Sequence, residues 1–283
     1  MSKIVKSDHP ERHEKSKGKR LKVSSADAAG EKASVSGNSS ILLAFKQYAE
    51  ELDKKHDRYE RLVKLSRDVT IESKRIIFLL HSIDRGREHE EVMVEAKKRL
   101  NHLVEDCLFS IAKELQSEDP YLYHRAFTYG LQEFIEAYTF FHQLEDKTLR
   151  HWDVYQDMLT YKLKSADGED TLEECKTMLS PVDYVLGIAD LSGELMRRCI
   201  NNLGSGDVNA CIETCEVVRK LYAGFLSIGC YKTKEMTEKT NTLRQNLLKM
   251  ENVCYNISIR SKEFPEQALL HLAGDFDAPD KDY

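Results

Sequence analysis

The 283-residue sequence has few of the residues that interrupt helices and no long apolar run. Only 5 Pro and 13 Gly are present, and no proline falls inside a stretch with helical periodicity, which predicts long helices. No segment approaches the roughly 18 consecutive apolar residues of a membrane span, and the N-terminus has no apolar core of a signal peptide. The sequence therefore predicts a helical protein that stays inside the cell.

The chain also lacks the short motifs of several large enzyme classes. GxGxxG, GxxxxGK[ST], GxSxG and HExxH are all absent, so the nucleotide-binding folds and the serine hydrolases are excluded. The seven cysteines form no CxxC pair and no Cys/His group at zinc spacing. We expect reduced thiols in the core, because free cysteine is among the most often buried residues. They are Cys107, Cys175, Cys199, Cys211, Cys215, Cys230 and Cys254.

The net charge of −6 is unevenly distributed along the chain. Residues 1–40 carry a balance of +4, which leaves −10 for the rest, and no aromatic residue precedes Phe45. This composition predicts either a disordered basic arm at 1–40 or a patch for nuclear import or nucleic acid, centred on residues 15–22. A helical domain at 41–260 and an acidic tail at 261–283 are expected to follow.

The spacing of apolar residues predicts an all-α fold with seven helices in an antiparallel, up-and-down bundle and no strand. Pro120 follows a polar turn, and Pro181 follows Ser180 with Asp183 at the third helical position, so both prolines are expected to begin helices. A polar loop is expected at 165–170. The expected helices cover residues 41–84, 90–116, 120–145, 149–159, 181–203, 207–225 and 233–259.

Two pairs of acids are the candidate chemical groups of the chain. Glu133 and Glu136 share one helix face, and Asp190 and Glu194 share another. The first face carries small and aromatic residues and no basic one, which indicates either a cation site or the exposed edge of a mixed surface. Gly187 and Gly193 lie within the helix that carries Asp190 and Glu194. A glycine inside a helix suggests that another group approaches closely there.

A functional site requires these two helices to face each other. Four converging carboxylates repel one another and raise their pKa values unless a divalent cation lies between them. Hard oxygen ligands suit Mg²⁺, with Mn²⁺ as a substitute. Such an ion orients a phosphodiester and activates water, so phosphodiester hydrolysis is the expected reaction class.

Basic residues on the first predicted helix have two interpretations. They contact the phosphates of a nucleic acid, or they form surface ion pairs with the acids interleaved among them. The length of this helix, roughly 60 Å at 1.5 Å per residue, favours a role in assembly. The candidate nucleic-acid-binding residues are Arg58, Arg61, Lys64, Arg67, Lys74 and Arg75.

Four stretches carry a resemblance to a known family. They are residues 56–68 (HDRYERLVKLSRD), 72–75 (ESKR), 130–137 (GLQEFIEA) and 181–197 (PVDYVLGIADLSGELMR). In this order they resemble the translin family, and the resemblance extends over about residues 41–260. It implies an all-α fold of seven helices, a hetero-oligomer with translin, and single-stranded RNA or DNA as the ligand.

The resemblance also implies an activity and a site. It implies a magnesium-dependent endoribonuclease that acts on passenger strands in RNA interference and on tRNA fragments, in the cytoplasm and nucleus. The acidic active-site positions of the family match Glu133, Glu136 and Asp190, with Glu194 as a further metal ligand. The competing hypothesis is a non-catalytic assembly subunit. Because the body of the chain is acidic, we expect the partner to supply positive charge for RNA binding.

Overall fold

The computed structural model of the protein describes residues 40–164, 172–204, 207–228 and 233–260. The predicted basic arm, apart from Ser40, and the predicted acidic tail lie outside the described residues, as does the predicted loop at 165–170. The contacts of the chain divide it after Leu52 into two units. Of the first unit, the structure describes the beginning of one helix, Ser40–Leu52, and the site described below belongs wholly to the second unit.

Seven helices are present in the described residues, as the sequence predicts, and none of them is long and apolar enough to cross a membrane. The second helix, α2, contains a π-helical turn at Val104–Leu108 between its two α-helical parts, His89–Leu103 and Phe109–Leu115. A short 3-10 turn, Ile83–Arg85, precedes it. The other helices are α1 Ser40–Leu80, α3 Pro120–Glu145, α4 Trp152–Met158, α5 Pro181–Gly204, α6 Val208–Ser227 and α7 Lys234–Arg260.

The prediction that the chain has no strand is wrong at one place. After the short helix α4, strand β1 (Thr160–Lys164) pairs antiparallel with β2 (Leu172–Lys176), and Lys162 lies opposite Glu174. Opposite charges across a strand pair stabilise it. The Tyr161 hydroxyl donates to the backbone oxygen of Val104 at 2.8 Å, so the hairpin is fixed to the π turn of α2. Its five-residue strands are too short to give a clear period-two pattern beside a polar loop.

Helix α2 runs antiparallel to α1, and α7 runs antiparallel to α6, whereas α5 runs parallel to α3, with His124 near Asp183 and Ile135 near Gly187. Arg99 of α2 pairs with Glu72 of α1 at 2.7 Å, although the two residues are 27 positions apart. Arg219 of α6 pairs with Glu251 of α7 at 2.9 Å. Helix α5 lies at the centre of its half of the bundle, because it packs against α3, α6 and α7.

Side-chain caps determine where helices α3 and α5 begin. Asp119 accepts a hydrogen bond from the backbone N–H of Tyr121 at 3.0 Å, directly before Pro120. Ser180 accepts from the backbone N–H of Asp183 at 3.1 Å and donates to the Asp183 carboxylate at 2.6 Å. Each cap satisfies backbone donors that the first helical turn leaves free, and such caps stabilise a helix by about 1 kcal/mol. The predicted helix starts at Pro120 and Pro181 and the predicted cap at Ser180 are confirmed, while the cap at Asp119 was not predicted.

Candidate functional site

The four predicted acids line one cavity of about 600 Å³ between α1, α3, α5 and α7. Glu133 and Glu136 come from α3, and Asp190 and Glu194 come from α5. The two helices that carry the acid pairs therefore face each other, as the cation hypothesis requires. The wall is completed by Lys74, Ile77, Phe78, Ala189, Ser192, Gly193, Arg197, Lys239, Thr242 and Asn246.

Two glycines bring the helices close enough to form this cavity. A Cβ atom added at Gly187 would lie 2.8 Å from the backbone oxygen of Gln132 and 2.8 Å from the Cβ of Ile135. One added at Gly130 would lie 2.7 Å from Ser66 Oγ. Since real Cβ contacts are longer, α5 and α1 approach α3 only because these positions lack a side chain. The expected close approach is confirmed at Gly187.

Gly193 does not have this role. A Cβ there would lie 3.9 Å from the nearest atom, Asn246 Nδ2, which is an ordinary contact distance. The sequence interpretation that both glycines of α5 mark a close approach is therefore wrong for Gly193.

Two of the carboxylates are neutralised by lysines from other helices. Lys74 Nζ of α1 lies 3.0 Å from Glu133 Oε1, and Lys239 Nζ of α7 lies 2.6 Å from Asp190 Oδ2. Lys239 also donates to Gln132 Oε1 at 2.8 Å. The face of α3 has no basic residue of its own, as the sequence indicates, but its charge is balanced across the cavity.

Glu136 is the acid without a partner. Its carboxylate makes no hydrogen bond or ion pair within the described part of the chain. Burial, together with the charges of Asp190, Glu133 and Glu194, raises the pKa of Glu136 to about 8, although Lys239 lowers it. The site therefore holds an excess of negative charge that protonation or a bound cation relieves.

Glu194 belongs to a buried chain of charges that the sequence analysis missed. Its Oε2 lies 2.5 Å from His81 Nε2, and His81 Nδ1 faces Asp84 Oδ2 at 3.6 Å. Burial disfavours the imidazolium, but the carboxylates of Asp84 and Glu194 outweigh it and raise the pKa of His81. The next member of this chain of charges is Arg198, whose Nη1 lies 3.2 Å from Asp84 Oδ1. The neighbours of Glu194 thus fix its orientation.

The spacing of the four acids tests how well they fit Mg²⁺. Among the described residues, the one group with three ligand atoms all within 4.8 Å of one another consists of cysteines. The carboxylates are spaced more widely, with lysines bound to two of them. Their chemistry nevertheless suits a hard cation, because all four donors are oxygen atoms and Glu136 lacks a partner. A cation shared by three of them requires the lysines to move.

The six candidate nucleic-acid-binding residues separate into three groups. Arg58 pairs with Glu118, and Arg61 pairs with Glu114 at 2.9 Å, so these two form ion pairs with acids outside α1. Of the interleaved acids of the alternative interpretation, Glu72 pairs with Arg75 at 3.5 Å. Lys64 and Arg67 are exposed. Lys74 and Arg75 line cavities beside the acids, which makes them the best-placed members of the set.

A second cavity of about 500 Å³, which we call the basic groove, adjoins the acidic one, and four of its eight lining residues are basic. Lys74 and Phe78 line both cavities, and the Phe78 ring is 65 % exposed. The guanidinium of Arg85 lies over this ring, 5.4 Å from its centre. The second cavity is lined by Lys74, Arg75, Phe78, Leu79, Ser82, Arg87, Glu95 and Arg99.

This fold and cavity define an all-helical protein with an acidic site next to a basic groove. Residues 57–261 match the Translin family. The chain belongs to the translin family. It is 43 % identical over 244 residues to rat Translin-associated protein X, covering 83 % of this chain and 84 % of the relative.

More distant relatives agree with this placement. Human Translin is 23 % identical over 206 residues, which are 72 % of this chain and 86 % of that protein. A chain of the solved structure "AfC3PO - duplex RNA complex" superposes with a TM-score of 0.58 at 19 % identity. The match covers 78 % of this chain and 100 % of that chain. The structural likeness supports the translin-type fold.

Proposed function

We propose that this chain is the catalytic subunit of a magnesium-dependent endoribonuclease that works in a hetero-oligomer with translin. The observation that carries the proposal is the meeting of four carboxylates from α3 and α5 in one cavity. Membership of the translin family and the similarity to Translin-associated protein X support it. The substrate class is RNA, since a neighbour of this fold has been solved with duplex RNA. The resemblance to the translin family favours single strands.

Glu133, Glu136, Asp190 and Glu194 would hold Mg²⁺, which would supply charge neutralisation and water activation for attack on phosphorus. The expected products carry 5′-phosphate and 3′-hydroxyl ends. Among the described residues the Glu136 carboxylate has no ion pair or hydrogen bond, so a cation gains more from it than from its paired neighbours. His81 holds Glu194 in place by its hydrogen bond at 2.5 Å.

The basic groove supplies contacts for the substrate. The side chain of Lys74 is 62 % exposed while it touches Glu133, so it can exchange that carboxylate for a phosphate oxygen. Phe78 presents an exposed ring between the two cavities. Each base that stacks on such a ring contributes about 1–3 kcal/mol to the free energy of binding. The arrangement places a phosphate near Lys74 and a base near Phe78.

The proposed partner provides what the chain lacks. With a charge of −10 outside residues 1–40, the chain is poorly suited to hold a polyanion alone. In the first unit, Ile41, Phe45, Tyr48 and Leu52 of α1 are exposed, with Phe45 at 67 %. Exposed apolar residues of this kind are typical of surfaces that associate. We therefore expect weak RNA binding and slow cleavage by the isolated chain, and improvement of both on assembly.

The test is cleavage of labelled single-stranded and duplex RNA by the co-expressed complex, with and without EDTA. Glu133→Gln should abolish Mg²⁺-dependent cleavage and preserve assembly. Glu145→Gln is the matched control, because this acid lies on the same helix and outside the cavity. Undiminished cleavage by Glu133→Gln would contradict the proposal.

A non-catalytic assembly subunit remains the second candidate. The observation in its favour is that Lys74 and Lys239 already neutralise Glu133 and Asp190. The absence of cleavage by the complex with any metal ion, or cleavage that survives every substitution of the four acids, would favour this candidate.

A further inference from the structure

Four cysteines that are scattered in the sequence meet in the interior of the bundle. Cys199 comes from α5, Cys211 and Cys215 from α6, and Cys254 from α7. Cys199 Sγ lies 2.7 Å from Cys211 Sγ, and Cys211 Sγ lies 3.6 Å from Cys254 Sγ. Cys215 lies one helical turn after Cys211 on α6 and interacts electrostatically with Cys254. We call these four residues the thiol cluster. The predicted burial is confirmed for Cys175, Cys199, Cys211 and Cys215, while Cys107 and Cys254 are half-buried and Cys230 lies outside the described residues. The convergence of four of them was not predicted.

The distances within the thiol cluster are unlike those of ordinary core packing. At 2.7 Å the sulfurs of Cys199 and Cys211 are in direct contact and well beyond the roughly 2.05 Å of a disulfide bond. Zinc–sulfur bonds of about 2.3 Å place tetrahedral sulfurs about 3.8 Å apart. The Cys211–Cys254 distance of 3.6 Å already agrees with that spacing.

The number of converging sulfurs favours a metal over a disulfide. A disulfide joins two sulfurs, and a third thiol at contact distance gains nothing from it. A thiophilic cation uses three or four, and here the Sγ atoms of Cys199, Cys211 and Cys254 lie within 4.8 Å of one another. Cys215, one turn after Cys211 on α6, lies outside this group of three and would have to move inward to be the fourth ligand. Thiolate sulfur is the donor that selects zinc over magnesium.

The surroundings of the thiol cluster resemble a closed, structural metal site. Cys199 and Cys211 are 0 % exposed, Cys215 is 3 % exposed and Cys254 is half-buried, so most of the thiol cluster is closed to water. The Arg219 guanidinium lies 4.0 Å from Cys215 Sγ and offsets part of the negative charge that four thiolates bring.

We propose that Cys199, Cys211, Cys215 and Cys254 bind one zinc ion, which joins α5, α6 and α7. Binding replaces four S–H protons by four Zn–S bonds, so four protons are released and no electron is transferred. Binding also moves Cys199 and Cys211 apart to the tetrahedral spacing. The site is independent of the proposed nuclease function. It fixes the two helices, α5 and α7, that carry Asp190 and Lys239 of the acidic cavity.

Metal analysis of the full-length chain, purified without chelators, tests the proposal. Inductively coupled plasma mass spectrometry should find about one zinc per chain in the wild type. Cys199→Ser and Cys254→Ser should lose it. Cys175→Ser is the matched control, because Cys175 is buried like the cluster and lies in β2, outside it. Its zinc content should equal that of the wild type.

A second measurement does not depend on the folding of the variants. Cobalt added to the metal-free wild-type chain should produce an intense thiolate-to-cobalt absorption band, which zinc should then abolish. A wild-type chain that takes up neither ion would overturn the proposal. So would intact-mass and peptide analysis showing a Cys199–Cys211 disulfide in the purified protein, since those sulfurs would then be unable to bind metal.

Discussion

The two glycines inside α5 make a matched pair for testing the packing of the site. Gly187→Ala and Gly193→Ala add the same methyl group to the same helix, and in a helix interior each gains about 1 kcal/mol from propensity. At Gly187 the new Cβ would lie 2.8 Å from the backbone oxygen of Gln132. Backbone has to move there, and overpacking of this kind costs about 1–3 kcal/mol. At Gly193 the nearest atom is 3.9 Å away.

We therefore expect Gly193→Ala to be stabilising and Gly187→Ala to be less stable than it by about 1–3 kcal/mol. For a domain of this size, each 1 kcal/mol shifts the melting temperature by about 2–4 °C. Thermal unfolding of the two variants beside the wild type measures the difference. Equal melting temperatures would refute the conclusion that α5 and α3 are held at contact distance through Gly187.

Two further predictions concern charges in and near the site. Lys239→Met removes the ammonium that neutralises Asp190 at 2.6 Å, so the Mg²⁺ concentration for half-maximal cleavage should fall about tenfold, because a nearby unit charge contributes on the order of 1–4 kcal/mol. The control Lys234→Met removes an exposed lysine of the same helix, and a requirement for more Mg²⁺ in Lys239→Met would contradict the account. Asp183→Asn should destabilise the protein by about 1–3 kcal/mol, because the buried Asp183 carboxylate accepts from His124 Nε2 at 2.6 Å. The hydrogen bond to Asp183 raises the pKa of His124 above its usual 6.5, so this contribution is complete below pH 6.5 and is lost as the pH rises through the folded-state value. Burial opposes ionisation of Asp183, but its hydrogen bonds hold its pKa below the usual 3.8, so that contribution is complete above pH 3.8 and is lost as the pH falls further. The difference between Asp183→Asn and the wild type, measured by denaturation at several pH values, should therefore be largest between about pH 4 and 6.5. A difference that does not change with pH would disprove the assigned ion pair.

Local signals in the sequence were sufficient to predict the helices. Pro120 and the Ser180–Asp183 cap fix two helix starts through hydrogen bonds within three residues, and such short-range chemistry is readable from the chain itself. The same holds for the two acid pairs, since each lies within one helix. That the pairs meet was a hypothesis, which Gly187 favoured and the cavity confirms.

Long-range contacts were not predictable in this way. Lys239 is 107 residues from Gln132 and 49 from Asp190, and no periodicity connects them. In the thiol cluster, Cys211 contacts Cys254, which is 43 residues away in the sequence. Only the spacing of Cys211 and Cys215 on one helix gave a local signal. The contact of His81 was not predictable for the same reason, because its partner Glu194 is 113 residues away.

The substitution Glu136→Gln tests the central claim most directly. Glu136 has no hydrogen-bonding partner to lose among the described residues, and its raised pKa means that ionisation of the buried carboxyl costs stability. A neutral amide of the same shape should therefore leave the melting temperature unchanged or higher.

The measurement is the single-turnover rate of RNA cleavage by the complex that carries Glu136→Gln in this chain, at saturating Mg²⁺. The account predicts at least about a 100-fold loss of rate. Replacing even a residue that only hydrogen-bonds to a metal ligand typically lowers metal affinity or activity by about 10- to 100-fold. RNA affinity and assembly should be unchanged. A stable variant that cleaves RNA at the wild-type rate would show that the catalytic site lies elsewhere.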